Sequence, residues 1–326
     1  MTVSACIITY NQEAYIGKAI EGALSQNLSY PYEIVISDDH SNDRTRSICE
    51  DYESRYKNKI KLLVQDANLG MIGNWMKAIK SCAGKYIALC EGDDYWTVIS
   101  KLQKQIEFLE ENPDYSICYH QVSILNNDGQ ILVEELNHST NPLTYTLDDL
   151  ATHNLMHTPS VVFRNHMIDK FPEWFFNSSV ADYVLHMLNA KSGKIYYMPD
   201  NMAIYRMHDK GIWSNQSKIY RTERWADMLD LLKEEFSEMP VTKEILERQL
   251  ANCYSRISQI LVDEKRIDEA ATFFLKALNA SKSHYDEWFN NNINDQNELL
   301  RLRKSKLARI EKAIKNPNRI FNKIFK

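Results

Sequence analysis

Four short apolar runs, VSACII (3–8), EIVI (33–36), IKLLV (60–64) and YIALC (86–90), punctuate the first ninety residues of the chain. Each is too short for a typical helix and rich in Ile and Val, the pattern of a strand buried on both faces. Between the first two, Ile16, Ala19, Ile20, Ala23 and Leu24 follow the i, i+3, i+4, i+7, i+8 spacing of one buried helical stripe. Ile72, Trp75, Met76 and Ile79 repeat that spacing, and residues 43–56 are polar but free of Gly and Pro. Strand alternating with helix dictates βαβ units and a mostly parallel sheet.

Polar residues follow each strand at once: Thr9, Tyr10 and Asn11; Asp38 and Asp39; Asp66, Asn68 and Gly70; Glu91, Gly92, Asp93 and Asp94. In an open parallel sheet these ends share one edge, and ligands bind in the crevice outside it. Several carboxylates therefore face one cleft, and they repel unless a cation or hydrogen-bond donors stand among them. Gly17 and Gly22 are the only glycines between the start and Gly70. Neither a GxGxxG fingerprint nor a Walker A loop is present, so a bound diphosphate needs another partner, and a divalent cation held by carboxylates is the usual one.

Two readings stand for each acidic motif. Glu91-Gly92-Asp93-Asp94 is either an acidic turn, with Gly92 bending the backbone, or a hard-cation site for Mg²⁺ or Mn²⁺. At Asp38-Asp39-His40-Ser41, Asp39, Ser41 or Asn42 caps the next helix; alternatively a carboxylate accepts the N3–H of uracil or thymine, a donor that cytosine and adenine lack. Ser179 to Asp182 fits the [ST]xx[DE] capping pattern at the head of a helix. His208, after Tyr205-Arg206-Met207, reads by default as a surface-loop histidine.

Further along, the pattern predicts a helix over 101–111, stopped by Asn112-Pro113, and a hairpin of strands 116–125 and 130–134 turned at Asn127-Asp128-Gly129. Strands are expected at 159–163 and 194–198, with a helix over about 180–191 between them. From 215 onward the chain reads as helical. Ala251, Tyr254, Ala270, Phe273, Ala277 and Leu278 loosely resemble one tetratricopeptide-like hairpin, and one unit is no repeat array. The expected domains are 1–214 and a helical appendage, 215–326.

Composition bounds the function. With 44% hydrophobic and 25% charged residues over 326, the chain has enough apolar material for a large core and is neither disordered nor a disulfide scaffold. Six cysteines without CxxC spacing read as reduced thiols of a cytosolic protein. The N-terminus MTVSACIITY carries no secretory signal pattern, and no apolar stretch has the length of a membrane span. Residues 299–326 hold ten Lys/Arg and one acid, so of a net charge of −5 the tail contributes +9 and the remainder −14. An acidic body is no nucleic-acid binder. Leu299, Leu302, Leu307, Ile310 and Ile314, followed by Phe321 and Phe325, make the tail a basic amphipathic end. It suits either an anionic membrane surface or packing against the body or a second subunit as a homodimer.

Read together, the ordered series Thr9-Tyr10-Asn11, EIVISDDHSND, NLG…N, YIALCEGDDYW and Asp182 resembles the family 2 glycosyltransferases of the GT-A fold, over roughly residues 2–210. EGDDYW followed by KLQKQIEFLEENPDYS is similar to bacterial members that build surface polysaccharides. The resemblance implies a mostly parallel α/β sheet flanked by helices, with the helical region appended. It implies that Thr9, Tyr10 and Asn11 border the nucleotide, that Asp39 meets the base edge beside Asp38, and that Asn68, Gly70 and Asn74 shape the ribose–phosphate side. Glu91-Gly92-Asp93 takes the place of the DxD motif, Asp93 holding Mn²⁺ or Mg²⁺ and Glu91 reaching toward ribose or through water. Asp94 and Trp96 lie toward sugar and acceptor, Asp182 is the general base, and His208 closes over the diphosphate or metal. The implied reaction is inverting transfer from a UDP-sugar to a glycan or lipid-linked acceptor; the chain is expected in the cytoplasm, peripheral on the inner face of the cell membrane where the tail docks there. A departure is Val98-Ile99, where relatives carry Asp-Pro. A sugar-nucleotide pyrophosphorylase would need a glycine-rich N-terminal loop, and a scaffold would not need the acids.

Overall fold

The computed structural model describes residues 1–133, 141–165, 171–208 and 216–281. The apolar runs form β1 (Val3–Thr9), β2 (Tyr32–Asp38), β3 (Ile60–Val64) and β4 (Tyr86–Glu91), separated by α1 (Ile16–Leu24), α2 (Thr45–Arg55) and α3 (Gly70–Lys80). Then come β5 (Tyr95–Trp96), α4 (Lys101–Glu111), β6 (Tyr115–Leu125), β7 (Ile131–Val133), β8 (Leu143–Tyr145), α5 (Leu147–Thr152), β9 (Val162–Arg164), α6 (Ala181–Ala190) and β10 (Lys194–Arg206). The sheet order is β3-β2-β1-β4-β9-β6-β10-β5, with β7 on β6 and β8 on β10. Strands β1 to β4 run parallel, and their pairing sets Thr9 beside Asp38, Asp38 beside Val64, and Ile8 beside Glu91. Their carboxyl ends thus form one edge.

Apolar burial drives this half. The α1 stripe Ile16, Ala19, Ile20 and Ala23 is buried against Ile34, Ile36 and Trp96 in a single core. Each fully buried Ile contributes ~1.5–3 kcal/mol. Gly22 lets α1 lie close to β5: a Cβ there would stand 2.8 Å from the Trp96 carbonyl oxygen.

The second half of the sheet departs from the expected pattern in two places. Residues 159–163 do not form one strand. Thr158–Ser160 make a 3-10 turn, and only Val162–Arg164 join the sheet. Pro159 has no N–H for a ladder, and the carbonyls of Pro159 and Ser160 accept from the side chains of Trp96 (2.9 Å) and Gln105 (2.9 Å) instead. The strand expected at 194–198 continues to Arg206 through register shifts near Met198 and Asn201, and Pro199 sits where the ladder is interrupted. Arg164 fixes β9, donating to the Tyr115 carbonyl (2.7 Å) and the Tyr86 hydroxyl (2.9 Å) and to carbonyls at the C-terminal end of α4. Cys6, Cys49, Cys82, Cys90 and Cys118 are buried free thiols, and Cys253 is half-buried.

Contacts divide the chain into Met1–Asn215 and Gln216–Lys326. In the second unit α7 (Lys218–Glu235) packs on α8 (Pro240–Asp263), and α8 on α9 (Ile267–Ala280). Ala251, Ala270 and Ala277 are fully buried. Ser258 Oγ donates to the Ala270 carbonyl at 2.8 Å, a contact that needs the two helix backbones close. No helix among the described residues is long and apolar enough to cross a membrane. The basic tail 299–326 and parts of the loops near 136–158 and 206–216 lie outside the described residues.

Candidate active site

The crevice is built on the β1 end. The Thr9 carbonyl accepts from Asp39 N (3.0 Å), and Gly92 N donates to the Ile8 carbonyl (2.9 Å), so both acidic loops are tied to one strand. Gly92 has an ordinary φ; its glycine is required by space, not by a sharp turn. A Cβ there would stand 2.7 Å from Thr9 Oγ1 and collide with the Gln12 side chain. Thr9 Oγ1 itself donates to Gln12 Oε1 at 2.8 Å. Asn11 and His40 adopt left-handed backbone, φ 51° and 62°. Non-glycine residues in that region store strain that clusters at functional sites. The two loops are laced together: Asn11 N donates to Ser41 Oγ (2.9 Å) and Asn42 N to Asn11 Oδ1 (2.8 Å). Tyr10 is exposed beside them.

At the β2 end every acid is engaged. Asp38 is fully buried and accepts from the Ser41 hydroxyl and from Ser41 N (3.1 Å). Asp39 Oδ1 accepts from Leu69 N at 2.7 Å. Burial is the main influence and raises the Asp39 carboxyl, while the amides of Leu69 and Gly70 oppose it. Asn68 Nδ2 donates to the Asp39 carbonyl (3.1 Å) and its Oδ1 accepts from Gly70 N (3.1 Å). None of Asp39, Ser41 and Asn42 caps α2; Thr45 N is taken by Asp43 Oδ1 at 2.9 Å. Asn74 does not reach the crevice. It is buried, its amide spent on the Ser37 hydroxyl (2.6 Å) and carbonyl (3.0 Å), where it braces β2.

At the β4 end Glu91, Asp93 and Asp94 each present an oxygen within 4.8 Å of the others. His208 Nε2 is 2.9 Å from Asp93 Oδ2. Arg206 N donates to Asp94 Oδ1 (2.8 Å) and Arg206 Nε to the Asp93 carbonyl (2.9 Å). Asp93 Oδ1 and Asp94 Oδ2 are buried with no hydrogen-bond partner. Desolvation first, then the charges of Asp93 and Asp182, push the Glu91 carboxyl well up. Desolvation, Asp93 and Glu91 do the same to Asp94, against the pull of Arg206. Two orphaned oxygens in a set of three carboxylates fit a hard divalent cation, which takes oxygen ligands and cancels such repulsion. Asp93 would hold it, with Glu91, Asp94 and His208 around it.

Asp182 sits in the first turn of α6. Ser179 does not cap that helix. Instead Asp182 Oδ1 accepts from Tyr183 N (2.8 Å) and Oδ2 from Thr158 Oγ1 (3.3 Å). Its charge is felt at the Glu91 carboxyl. Trp96 does not face the crevice: it is 3% exposed and its indole N–H is bound to the Pro159 carbonyl. Sequence reasoning missed Tyr15, Tyr205 and Arg206. The Arg206 guanidinium lies 4.5 Å from the Tyr15 ring centroid, and Tyr15 stacks obliquely 5.2 Å from His208. Desolvation, then the charges of Glu91, Asp94, Asp182 and Asp93, raise the Tyr205 phenol, whose ring lies 4.5 Å from that of His157. Their only signal was position, immediately before His208 or on the first loop.

The α/β sheet, with acids along its parallel edge and no glycine-rich phosphate loop, is similar in fold to GT-A glycosyltransferases of known structure. Residues 4–169 match Glycosyl transferase family 2, and the chain belongs to that family. A protein of Mycobacterium tuberculosis is 36% identical over 216 residues, covering 65% of this chain and 60% of that one. The match therefore spans about 60% of the length of these mycobacterial relatives. TuaG of Bacillus subtilis, named as a teichuronic acid biosynthesis glycosyltransferase, is 27% identical over 76% of this chain and 97% of its own. WfgD of Escherichia coli, a UDP-Glc:α-D-GlcNAc-diphosphoundecaprenol β-1,3-glucosyltransferase, is 34% identical over 39% of this chain and 48% of its own. Among solved structures, Staphylococcus aureus TarS residues 1–349 with UDP-GlcNAc is similar in fold, at TM-score 0.54 and 17% identity, over 88% of this chain and 92% of that one. The Pyrobaculum calidifontis mannosyltransferase PcManGT with GDP-Man and Mn²⁺ gives TM-score 0.56 and 15% identity, over 97% and 81%.

Proposed function

We propose that this chain transfers a sugar from a nucleotide-diphosphate donor to an acceptor hydroxyl, with inversion, in the assembly of a polysaccharide. The observation that carries the reading is the pair of buried, unpartnered oxygens on Asp93 and Asp94, with the charge of Asp182 felt at Glu91 beside them. Unpaired buried carboxylate oxygens destabilise a fold, and a site that binds a charged ligand is a reason to keep them.

Asp39, Thr9, Tyr10 and Asn11 line the nucleotide end. A carboxylate has about four acceptor positions, so Asp39 can hold the loop amides and still accept a ring N–H, as uracil offers. That donor favours UDP or dTDP over cytosine and adenine nucleotides; guanine also carries a ring N–H. Asp93, with His208 against it, would hold Mn²⁺ or Mg²⁺, and the bound ion would supply positive charge for the departing diphosphate. Asp182 accepts the acceptor proton as the oxygen attacks the anomeric carbon from the face opposite the leaving group. The ring passes through an oxocarbenium-like state, as in glycoside hydrolysis, and single displacement needs no covalent enzyme intermediate. Asp94 turns its bound oxygen to Arg206 N and shapes the sugar side. UDP-GlcNAc and GDP-Man in fold neighbours, and a diphosphoundecaprenol-linked acceptor in a relative, support a nucleotide-sugar donor and a glycan or lipid-linked acceptor.

The test is release of free nucleotide diphosphate from UDP-, dTDP- and GDP-sugars with Mn²⁺. Transfer or slow hydrolysis releases it, and Asp182→Asn is expected to lower turnover at least ~10³-fold while donor still raises the melting temperature. Absence of release with every donor, or near wild-type turnover in Asp182→Asn, overturns the reading.

A further inference from the structure

Lys101 is a lysine with no exposed surface at all, at the first position of α4 and outside the crevice. A buried ammonium costs several kcal/mol unless it is matched by good partners. Its Nζ donates to Gln105 Oε1 at 2.8 Å and lies 4.3 Å from the Trp96 ring centroid. Those two partners hold the same element. Trp96 Nε1 donates to the Pro159 carbonyl (2.9 Å), and Gln105 Nε2 to the Ser160 carbonyl (2.9 Å) and the Cys118 carbonyl (3.0 Å). The 3-10 turn Thr158–Ser160 is thus pinned at two successive carbonyls by side chains that Lys101 locks in place. At the head of that turn Thr158, 4% exposed, donates its hydroxyl to Asp182 Oδ2 at 3.3 Å. The distance is long for a hydroxyl, as catalytic contacts often are before ligands bind.

We infer that Lys101, Gln105 and Trp96 form a buried brace that positions the Asp182 carboxylate through Thr158. The inference rests on Asp182 being the base. With Oδ1 held by Tyr183 N and Oδ2 by Thr158, the carboxylate plane is fixed, and with it the lone pair offered to the acceptor hydroxyl. The brace explains three things together: why an interior lysine is present, why Trp96 is turned away from the crevice, and why residues 158–160 leave the sheet. Thr158 and Lys101 are positioning residues, and they act on proton transfer rather than on donor binding.

Thr158→Val keeps the shape and removes the donor. The expected result is a fall in kcat of about tenfold, the order set by one hydrogen bond to a charged group. Donor KM stays within twofold, as roughly expected for a contact remote from the nucleotide, and Thr158→Ser restores kcat. Lys101→Met, similar in volume and uncharged, is expected to lower kcat by roughly fivefold at unchanged donor KM, with melting temperature equal or higher because a buried charge is gone. Wild-type kcat in Thr158→Val, or equal loss in Val and Ser variants, overturns the inference. A fall in donor affinity matching the fall in kcat also overturns it. Asp182→Asn in the same series separates the two claims. If it retains turnover, the base assignment fails; if it is inactive while Thr158→Val is unaffected, only the brace fails.

Discussion

Asp38-Asp39 and Asp93-Asp94 are alike in sequence and stand at the carboxyl ends of β2 and β4, the two strands that flank β1. Their surroundings differ. The β2 pair is satisfied: Asp38 by Ser41, Asp39 by Leu69 and Gly70 amides. The β4 pair leaves one buried oxygen on each acid without a partner. An acid supplied with donors stabilises its loop, whereas one denied them stores repulsion that only a proton or a cation relieves. The first pair therefore braces its loop, with Asp39 keeping acceptor capacity for a base, and the second is poised for a cation.

The comparison breaks most readily at Asp93. Asp93→Ala removes one of the mutually repelling acids, so turnover is expected to fall about 10³-fold or more while the melting temperature holds or rises. Steady-state rates and thermal melts on one preparation check both halves. At Asp38 the expectation reverses: Asp38→Ala strands the Ser41 amide and hydroxyl and is expected to cost ~2–3 kcal/mol of stability, measured by urea unfolding. If Asp93→Ala proves the more destabilising, the contrast between the pairs is wrong. Smaller again is Asp39→Asn, whose amide can keep one loop contact but loses charge toward a ring N–H. Donor KM for a uracil nucleotide is expected to rise about tenfold, roughly the worth of one charged hydrogen bond, and the preference over cytosine to weaken. A competition assay between UDP and CDP reads it.

Much of this was legible in sequence because βαβ periodicity and burial act locally. The four strands, α4 at Lys101–Glu111 and the turn at Asn127-Asp128-Gly129 follow from apolar spacing and breaker residues alone. Asp39 and Asp93 follow the two strands that flank β1, and strand-end position was enough to single them out; Asp182 stands in the first turn of α6, and only its capping spacing and the family resemblance pointed to it. What escaped is what depends on partners far away in the chain. Asn74 looks like a crevice residue until Ser37, on another element, claims its amide. Trp96 follows an acidic motif, yet its indole N–H finds Pro159 sixty-three residues on. Ser179-Asp182 has capping spacing, but Thr158 and Tyr183 N take the carboxylate instead. Periodicity reports which face is apolar; it does not report which carbonyl a side chain will meet.

The finest test of the comparison is the pH dependence of stability at Asp94. Its folded carboxyl lies well above the ordinary range of about 3.9, with burial, Asp93 and Glu91 as causes. Between those two values the folded state binds more protons than the unfolded one, so Asp94 contributes stability at low pH that is lost as pH rises through its folded value. His186, lowered to about 4 chiefly by burial, runs the other way below about 6.5. Lys101, lowered to about 7 by burial, also runs the other way, above that pH. The difference between wild type and Asp94→Asn cancels both opposing groups. Asn keeps an acceptor for Arg206 N and turns an amide toward Glu91 and Asp93. In the presence of a chelator the variant is expected to match wild type below about pH 4 and to exceed it progressively as pH rises from there toward the folded value, by about 1.4 kcal/mol per pH unit at most. Adding Mn²⁺ is expected to narrow the gap, because the ion relieves the same repulsion in wild type. A gap that is constant across pH, or that widens with Mn²⁺, would mean that Asp94 is paired in solution and that the β4 acids resemble the β2 acids after all.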